Sequence, residues 1–282
     1  MSKLSEGLKA LINAAHARPN VTKAPTNIKS IYSQIAESAR SHNVGTPAWL
    51  TISTATTMTM NSPASLLQLH SIASQPPSTL TPTESAELMR EVGLKCISFN
   101  GIPRVINNLG AFRDGLPKDV QAQLATSGTR QLSSKNADAV VSRGRALWNS
   151  IYRPFEDKLV DKLAASHPNL PIHIISAHYG TLLSDPDHNM PAQVGRVLAS
   201  LVAIACLRAQ TGVGPQVLSH VFGLRKAFED GSAEEDLEGG EWLASEEGNK
   251  WILESVDAIV GALGGEQGTT FAPGLGKEKA KL

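Results

Sequence analysis

Apolar residues in this chain recur at intervals of three and four, whereas period-two runs rich in Val, Ile and aromatics are nearly absent. A chain patterned in this way buries its apolar stripes by packing helix on helix, so the expected class is all-α. One short run, Pro171 to Ile175, hints at a strand. The best-marked helix opens at Thr81-Pro82-Thr83-Glu84. That segment offers an N-cap hydroxyl, a proline for the first helical position and a glutamate able to reach back as a capping box. Leu88, Met89, Val92 and Cys96 then share one face. Asn100-Gly101-Ile102-Pro103 ends the helix, and Val105, Ile106, Leu109 and Phe112 begin another, which makes a helical hairpin.

The length of 282 residues is enough for one large domain or two ordinary ones, either with a proper core. Lys and Arg number 26 and Asp and Glu 26, so there is no overall positive field to hold nucleic acid or an anionic membrane. The two cysteines, Cys96 and Cys206, are too few for a thiolate zinc site or a disulfide-built scaffold, and they fit a reducing compartment. No metal site is expected. The longest nearly pure apolar run, Val197 to Leu207, falls well short of the roughly 20 residues that span a bilayer, so the chain reads as soluble, with no membrane partner.

Charge is uneven along the chain. The first 45 residues carry Lys3, Lys9, Arg18, Lys23, Lys29 and Arg40 against Glu6 and Glu37, while acidic residues crowd positions 229 to 257. Leu4, Leu8, Leu11, Ile12 and Ala15 recur at helical spacing beside Lys3, Lys9 and Arg18. A mitochondrial presequence is one reading of this basic amphipathic segment. The first helix of a packed fold is the reading we prefer, because Glu6 lies within it and Arg is scarce. Residues 113–138 and 228–249 read as connectors and 264–282 as a flexible tail.

The two halves share an order of parts. A helix from Trp49 to Met60 leads through Ser62-Pro63 into a segment ending at His70, with Glu84 fourteen residues later. A helix from Val194 to Gln210 leads through Gly212-Val213-Gly214-Pro215 into a segment ending at His220, with Glu234 fourteen residues later. The recurrence favours duplication. It divides the chain into an N-terminal segment 1–45, a first unit 46–138, a second unit 139–263 and the tail.

These residues resemble a known family. Glu87-Leu88-Met89-Arg90-Glu91, the turn through Gly101-Ile102-Pro103 and the helix that follows are similar to the acidic helix, glycine-proline turn and small-residue helix of the alkylhydroperoxidase D-like and carboxymuconolactone decarboxylase-like superfamily. The segments around His70 and His220 resemble the preceding helix of each unit. The resemblance covers about half of the chain. It implies an all-α bundle of two related helical hairpins with inward histidines, and a homo-oligomer.

The departure from that pattern is informative. Peroxidase members carry Cys-x-x-Cys with a histidine four residues after the second cysteine; here those places hold Val213 and Gln216 before His220, and Pro63 and Leu66 before His70. No dithiol pair stands there. Cys96 lies alone on an apolar face, where space-filling is its expected role, and a single-cysteine peroxidase through Cys96 is the least favoured reading. What remains is the decarboxylase-like branch, for which the resemblance implies proton transfer on a small carboxylate or lactone-like metabolite without metal or organic cofactor.

Histidine supplies the acid–base group such chemistry needs, and a cation or amide holds a carboxylate. His220 is the first catalytic candidate, with Gln216 one turn earlier as a substrate-binding amide. His70 is a second catalytic candidate, and Arg104 and Asn100 are further substrate-binding ones. Arg143-Gly144-Arg145 leading to Trp148 and Tyr152 reads as packing. His178, Tyr179, Asp185, Asp187 and His188 form a separate loop hypothesis for an acid–base site. A non-catalytic binding or assembly protein is the alternative function. Finally, Ala280-Lys281-Leu282 closely resembles the Ser-Lys-Leu address read by the peroxisomal import receptor, which makes that receptor an expected partner and the peroxisome the expected compartment. A mitochondrial or cytoplasmic location is the alternative.

Overall fold

A computed structural model describes residues 3–186, 190–233 and 237–264. All regular elements among these residues are helical, as the apolar periodicity requires. The first helix, α1 (Glu6–Ile12), is capped by Ser5 and buries none of its residues. It therefore does not serve as the first helix of the packed fold. Its Leu8, Leu11 and Ile12, with Leu4 before it, stay in solvent. A single 3-10 turn, Ala15–Ala17, leads from it toward the bundle.

The bundle proper begins with α2 (Ile28–Ser41), α3 (Thr46–Thr59), α4 (Pro63–Ala73) and α5 (Pro82–Lys95). The capping box at the start of α5 is formed as the sequence predicts, with Glu84 N–H donating to the Thr81 hydroxyl at 3.2 Å and Thr81 N–H to the Glu84 carboxylate at 2.8 Å. A single turn, α6 (Ile97–Asn100), precedes Gly101, whose φ of 78° swings the chain into α7 (Ile102–Gly115). The expected connectors hold two short helices, α8 (Lys118–Gln123) and α14 (Gly240–Ala244). Between them run α9 (Ala137–Tyr152), α10 (Glu156–Ser166), α11 (Asn169–His173), α12 (Arg196–Gln210) and α13 (Gly214–Glu229), and α15 (Glu246–Gly264) closes the described chain.

The hint of a strand at Pro171–Ile175 is overturned. That run lies in α11 and continues into a π-helix, Ile174–Leu183, in which Ser184 N–H donates to the Tyr179 carbonyl five residues back. A short apolar run beside a proline carries no periodicity of its own, and here tertiary packing decides for helix.

Two nearly all-buried helices, α3 and α12, lie against each other at the centre. α3 is rich in threonine, yet its core position is tolerable because Thr56, Thr57 and Thr59 donate to the carbonyls of Ile52, Ser53 and Ala55 at 2.7–2.8 Å. One continuous apolar core runs from Ile28 through α3, α4, α5 and α12 to Leu263. A smaller cluster of Trp148, Ile151, Ile175, Tyr179 and Leu183 forms where α9 meets the π-helix. The two cross at Gly144 and Gly180. A Cβ on Gly144 would lie 2.5 Å from the Ile175 carbonyl oxygen, and one on Gly180 would lie 2.7 Å from that of Val140. Backbone touches backbone there, which only glycine permits. Among the described residues no helix is long and apolar enough to cross a membrane.

Candidate functional site

The smaller cluster leaves a hollow on the side facing α13. Pro215 fixes the first turn of α13, and His220, one and a half turns on, is only 5 % exposed. Its Nε2 lies 3.5 Å from the hydroxyl of Tyr152 on α9, and that hydroxyl lies 3.0 Å from the hydroxyl of Tyr179 on the π-helix. Phe99 meets the imidazole edge to face, with centroids 6.2 Å apart. Nδ1 of His220 is buried without a hydrogen-bond partner in the protein. An unpaired polar atom in such a place is costly unless something else fills it.

Beneath this triad sits Arg196, the first residue of α12. Its guanidinium donates to the Ser150 hydroxyl at 2.8 Å, to the carbonyl of Gly223 at 2.6 Å, and to the Ser200 hydroxyl. Burial first, then the Arg196 charge, lowers the His220 pKa to about 4. Burial raises Tyr152, and raises Tyr179 well above the usual phenol value, with Arg196 opposing the rise in both. At neutral pH the site therefore holds a neutral imidazole, two phenols that remain hydrogen-bond donors and one fixed positive charge.

These side chains open onto a chamber of about 440 Å³. Its walls are mainly apolar, with Phe99, Trp148, Leu163 and Leu207 among them, and its remaining polar groups are Gln216, Ser219, the exposed Lys162 and the pair His178–Ser98, joined at 2.9 Å. A largely apolar cavity of this size with a few convergent polar groups is the usual form of a small-molecule site. The structure thus joins three separate sequence predictions: His220 with Gln216, the His178-Tyr179 pair, and the Trp148–Tyr152 segment. The last was assigned to packing alone. Trp148 and Tyr152 do pack, but the Tyr152 hydroxyl also completes the triad. Its signal was the one-turn spacing of two amphipathic aromatics with a polar tip. Arg196 was missed as well, although a lone arginine opening the longest apolar run is an unusual placement.

The other candidates lie elsewhere. His70 Nε2 donates to the Pro82 carbonyl at 2.9 Å and lies 3.1 Å from the Ser74 hydroxyl, and its ring packs edge-on against Phe112. It fastens α4 to the start of α5 and lines no cavity described here. Arg104 donates to the Thr59 carbonyl at 2.6 Å, and Asn100 accepts from the Thr59 hydroxyl at 3.1 Å, so both tie the α6–α7 corner to the end of α3 rather than facing the chamber. Cys96 is not alone: its sulfur is 3.5 Å from that of Cys206, and both thiols are wholly buried. Burial, followed by the neighbouring thiol, drives the Cys96 pKa well up, the reverse of what a peroxide-attacking thiolate needs.

Asp185 belongs to a separate charge cluster. It accepts from Lys95 Nζ at 2.6 Å and from Val194 N–H at 2.8 Å, while Arg130 pairs with Glu91 and lies 3.4 Å from Asp185. Asp187, His188, Glu234 and the tripeptide Ala280, Lys281, Leu282 lie outside the described residues. Among the described residues no group of three or more His, Cys, Asp or Glu is placed to hold a metal ion.

No protein-family profile matches the chain, and no solved structure does. Among curated proteins it is similar to Peroxisomal protein 2 of Saccharomyces cerevisiae, with 29 % identity over 174 residues, covering 55 % of this chain and 58 % of that protein. The chain therefore matches little more than half the length of that relative.

Proposed function

We propose that this chain is a peroxisomal protein of the alkylhydroperoxidase D-like and carboxymuconolactone decarboxylase-like type that binds a small, mostly apolar metabolite at His220 and acts on it by proton transfer. The observation that carries this reading is the buried, neutral His220 imidazole in the wall of a 440 Å³ chamber, next to two phenol donors and over the Arg196 charge. The succession of helix, proline-led turn and histidine helix in α3–α4 and again in α12–α13 supports the family likeness, which also brings a homo-oligomer with it. The name of the yeast relative and the likeness of Ala280-Lys281-Leu282 to an import address support the compartment and the import receptor as partner.

The chemistry follows from the protonation states. Neutral His220 takes a proton from carbon next to a carbonyl or lactone carbonyl, and the electron pair of the broken C–H bond moves into the carbonyl to give an enolate. The Tyr152 hydroxyl, backed by Tyr179, donates to the oxygen on which that charge builds. Imidazolium then returns the proton, or another enters at a different carbon. The weak basicity of His220 is the obstacle, because a base with pKa about 4 accepts a proton reluctantly. Negative charge arising beside it in the transition state offsets both burial and Arg196. The same low pKa favours a second reading, a binding protein that uses the neutral imidazole only as a hydrogen-bonding anchor.

The test is to titrate a small carboxylated lactone against the protein, follow the fluorescence of the buried Trp148, and record turnover by proton NMR in deuterated water. Deuterium appearing at the carbon next to the carbonyl, and absent with His220→Gln, is expected. Binding without exchange would move the assignment to the binding protein. No binding would overturn the chamber as a site.

A further inference from the structure

The chamber does not end at Gln216 and Ser219. Tyr152, Leu159, Lys162 and Ser219 also line a second hollow of about 480 Å³ that runs outward between α10 and α13. Its walls are apolar, and they include two aromatic rings that stand largely in water, Phe155 at 63 % and Phe222 at 54 % exposure. Its cations are Lys158, Lys162 and Lys226. Lys226 is occupied with the carbonyls of Ile151 and Arg153 at the end of α9. Lys158 and Lys162 lie one turn apart on α10, are exposed, and make no ion pair among the described residues. The acidic neighbours are spoken for at two positions, since Asp157 pairs with Arg145 and Glu156 with Arg153.

A path along the shared wall of Tyr152, Leu159, Lys162 and Ser219 thus joins a rim carrying the ammonium groups of Lys158 and Lys162 to an interior where His220 and the two phenols are neutral and Arg196 is the charge beneath them. Charge and polarity sort a bound molecule along that path. An anionic head inside would leave water for a site where the donors of Arg196 are already given to Ser150, Ser200 and Gly223, whereas at the rim it keeps part of its hydration and meets two ammonium groups. An uncharged polar group inside meets the Tyr152 hydroxyl beside His220 at no such cost.

We propose that the substrate is an amphipathic monoanion, with its acidic head on Lys158 and Lys162, an apolar chain along the α10–α13 groove, and an uncharged carbonyl- or hydroxyl-type group at His220 and Tyr152. The proposal rests on the chamber reading above and narrows it, from a compact metabolite to one with a chain long enough to join the two hollows.

The experiment uses the full chain and three probes below their aggregation concentrations: dodecanoate, dodecanol and a small carboxylated lactone, each read by Trp148 fluorescence and by calorimetry. Dodecanoate is expected to bind about tenfold more tightly than dodecanol, the effect of two half-solvated charge-assisted contacts, and to lose that margin in high salt. Lys158→Gln with Lys162→Gln, both on the surface and outside the reacting centre, is expected to bring dodecanoate down to the level of dodecanol and leave dodecanol unchanged. Ser219→Trp, placed where the two hollows meet, is expected to abolish binding of both long probes. Equal binding of dodecanoate and dodecanol, unmoved by the lysine substitutions, would overturn the head assignment. Failure of both long probes while the lactone still binds would overturn the extended substrate and leave the chamber reading standing. Failure of all three would overturn both.

Discussion

An imidazole that is neutral because it is buried makes folding sensitive to acid. His220 has a folded pKa of about 4 against an ordinary value of 6.5. Between those two values the unfolded chain binds a proton that the folded chain refuses, so the unfolded state gains as pH falls and stability is lost from about pH 6.5 downward toward pH 4. Between pH 7 and pH 5 the His220 share of that loss is about 2 kcal/mol. His70 and His178 are also lowered by burial and add to the acid loss with the same sign. Replacing His220 by Gln is therefore expected to flatten the difference between urea unfolding at pH 7 and at pH 5 by that amount. An unchanged difference would mean that the ring takes up a proton in the folded state and that its surroundings are wetter than described. At this scale the sequence was legible for His220 and Gln216, because a histidine and an amide one turn apart after a proline-led helix start are visible in one line of residues. It was not legible for Arg196 and Tyr152, since what they do depends on α12 and α9 reaching the same place from different parts of the chain. His70 and Arg104 show the converse: each has the right functional group, but a nearby carbonyl takes it up.

Elements set the shape of the chamber through one close crossing. α9 supplies Trp148 and Tyr152, the π-helix supplies His178 and Tyr179, and the two can bring these walls together because Gly144 and Gly180 let their backbones touch. The wider π turn has a place here, since such turns arise where a side chain must be re-aimed, often at a functional site. Gly180→Ala inserts a methyl group 2.7 Å from the Val140 carbonyl oxygen, and rigid backbone on the other side cannot move away cheaply. A loss of about 1–3 kcal/mol in stability is expected from this overpacking, together with weaker ligand binding as Tyr179 is pushed from Tyr152. Gly110→Ala, inside α7 with nothing within 4 Å of the new carbon, is the control expected to leave binding unchanged and to gain up to about 1 kcal/mol in stability from helix propensity. Denaturant midpoints and Trp148 fluorescence titrations of the two variants decide it. Helix starts were well written in the sequence, as the capping box of α5 shows, because that signal is local. Pro171–Ile175, which spans the end of α11 and the start of the π-helix, hints at a strand because four apolar residues around His173 carry no helical period. The exposure of α1 was missed for a different reason: an amphipathic pattern says that a helix has an apolar face, not that the fold has somewhere to put it.

Across the whole molecule, buried charge fixes how the parts surrounding the chamber are held. Lys95 ends α5 with its side chain fully buried, donates to the Leu183 carbonyl, and pairs with Asp185 at 2.6 Å and Glu91 at 3.7 Å. Arg130, from the segment after α8, closes the cluster on Glu91. Burial lowers Lys95 and raises Glu91, so each ion depends on the others to stay charged. The cluster thereby ties three distant stretches of chain to one point: α5, the segment after α8, and the end of the π-helix, where Leu183 forms part of the chamber wall. All-α class and a neutral charge balance can be read from composition and period, but a link between residues 91, 95, 130 and 185 cannot, because each is an ordinary surface residue type in its own stretch. Removing one member strands the rest. Lys95→Met leaves two largely buried carboxylates, Glu91 at 11 % and Asp185 at 15 % exposure, to a single guanidinium, and a destabilisation of about 3 kcal/mol at neutral pH is expected. The loss is expected to shrink toward pH 5, as a Glu91 carboxyl already raised by burial takes up a proton and stops being an unpaired charge. Adding Asp185→Asn to Lys95→Met is expected to recover part of the stability, since Glu91 keeps Arg130 as its partner and no carboxylate is left unmatched. Urea unfolding of the wild type, the single and the double variant at both pH values is the measurement. A single variant as stable as the wild type would show that the cluster is solvated and that Leu183 is held in the chamber wall by packing alone.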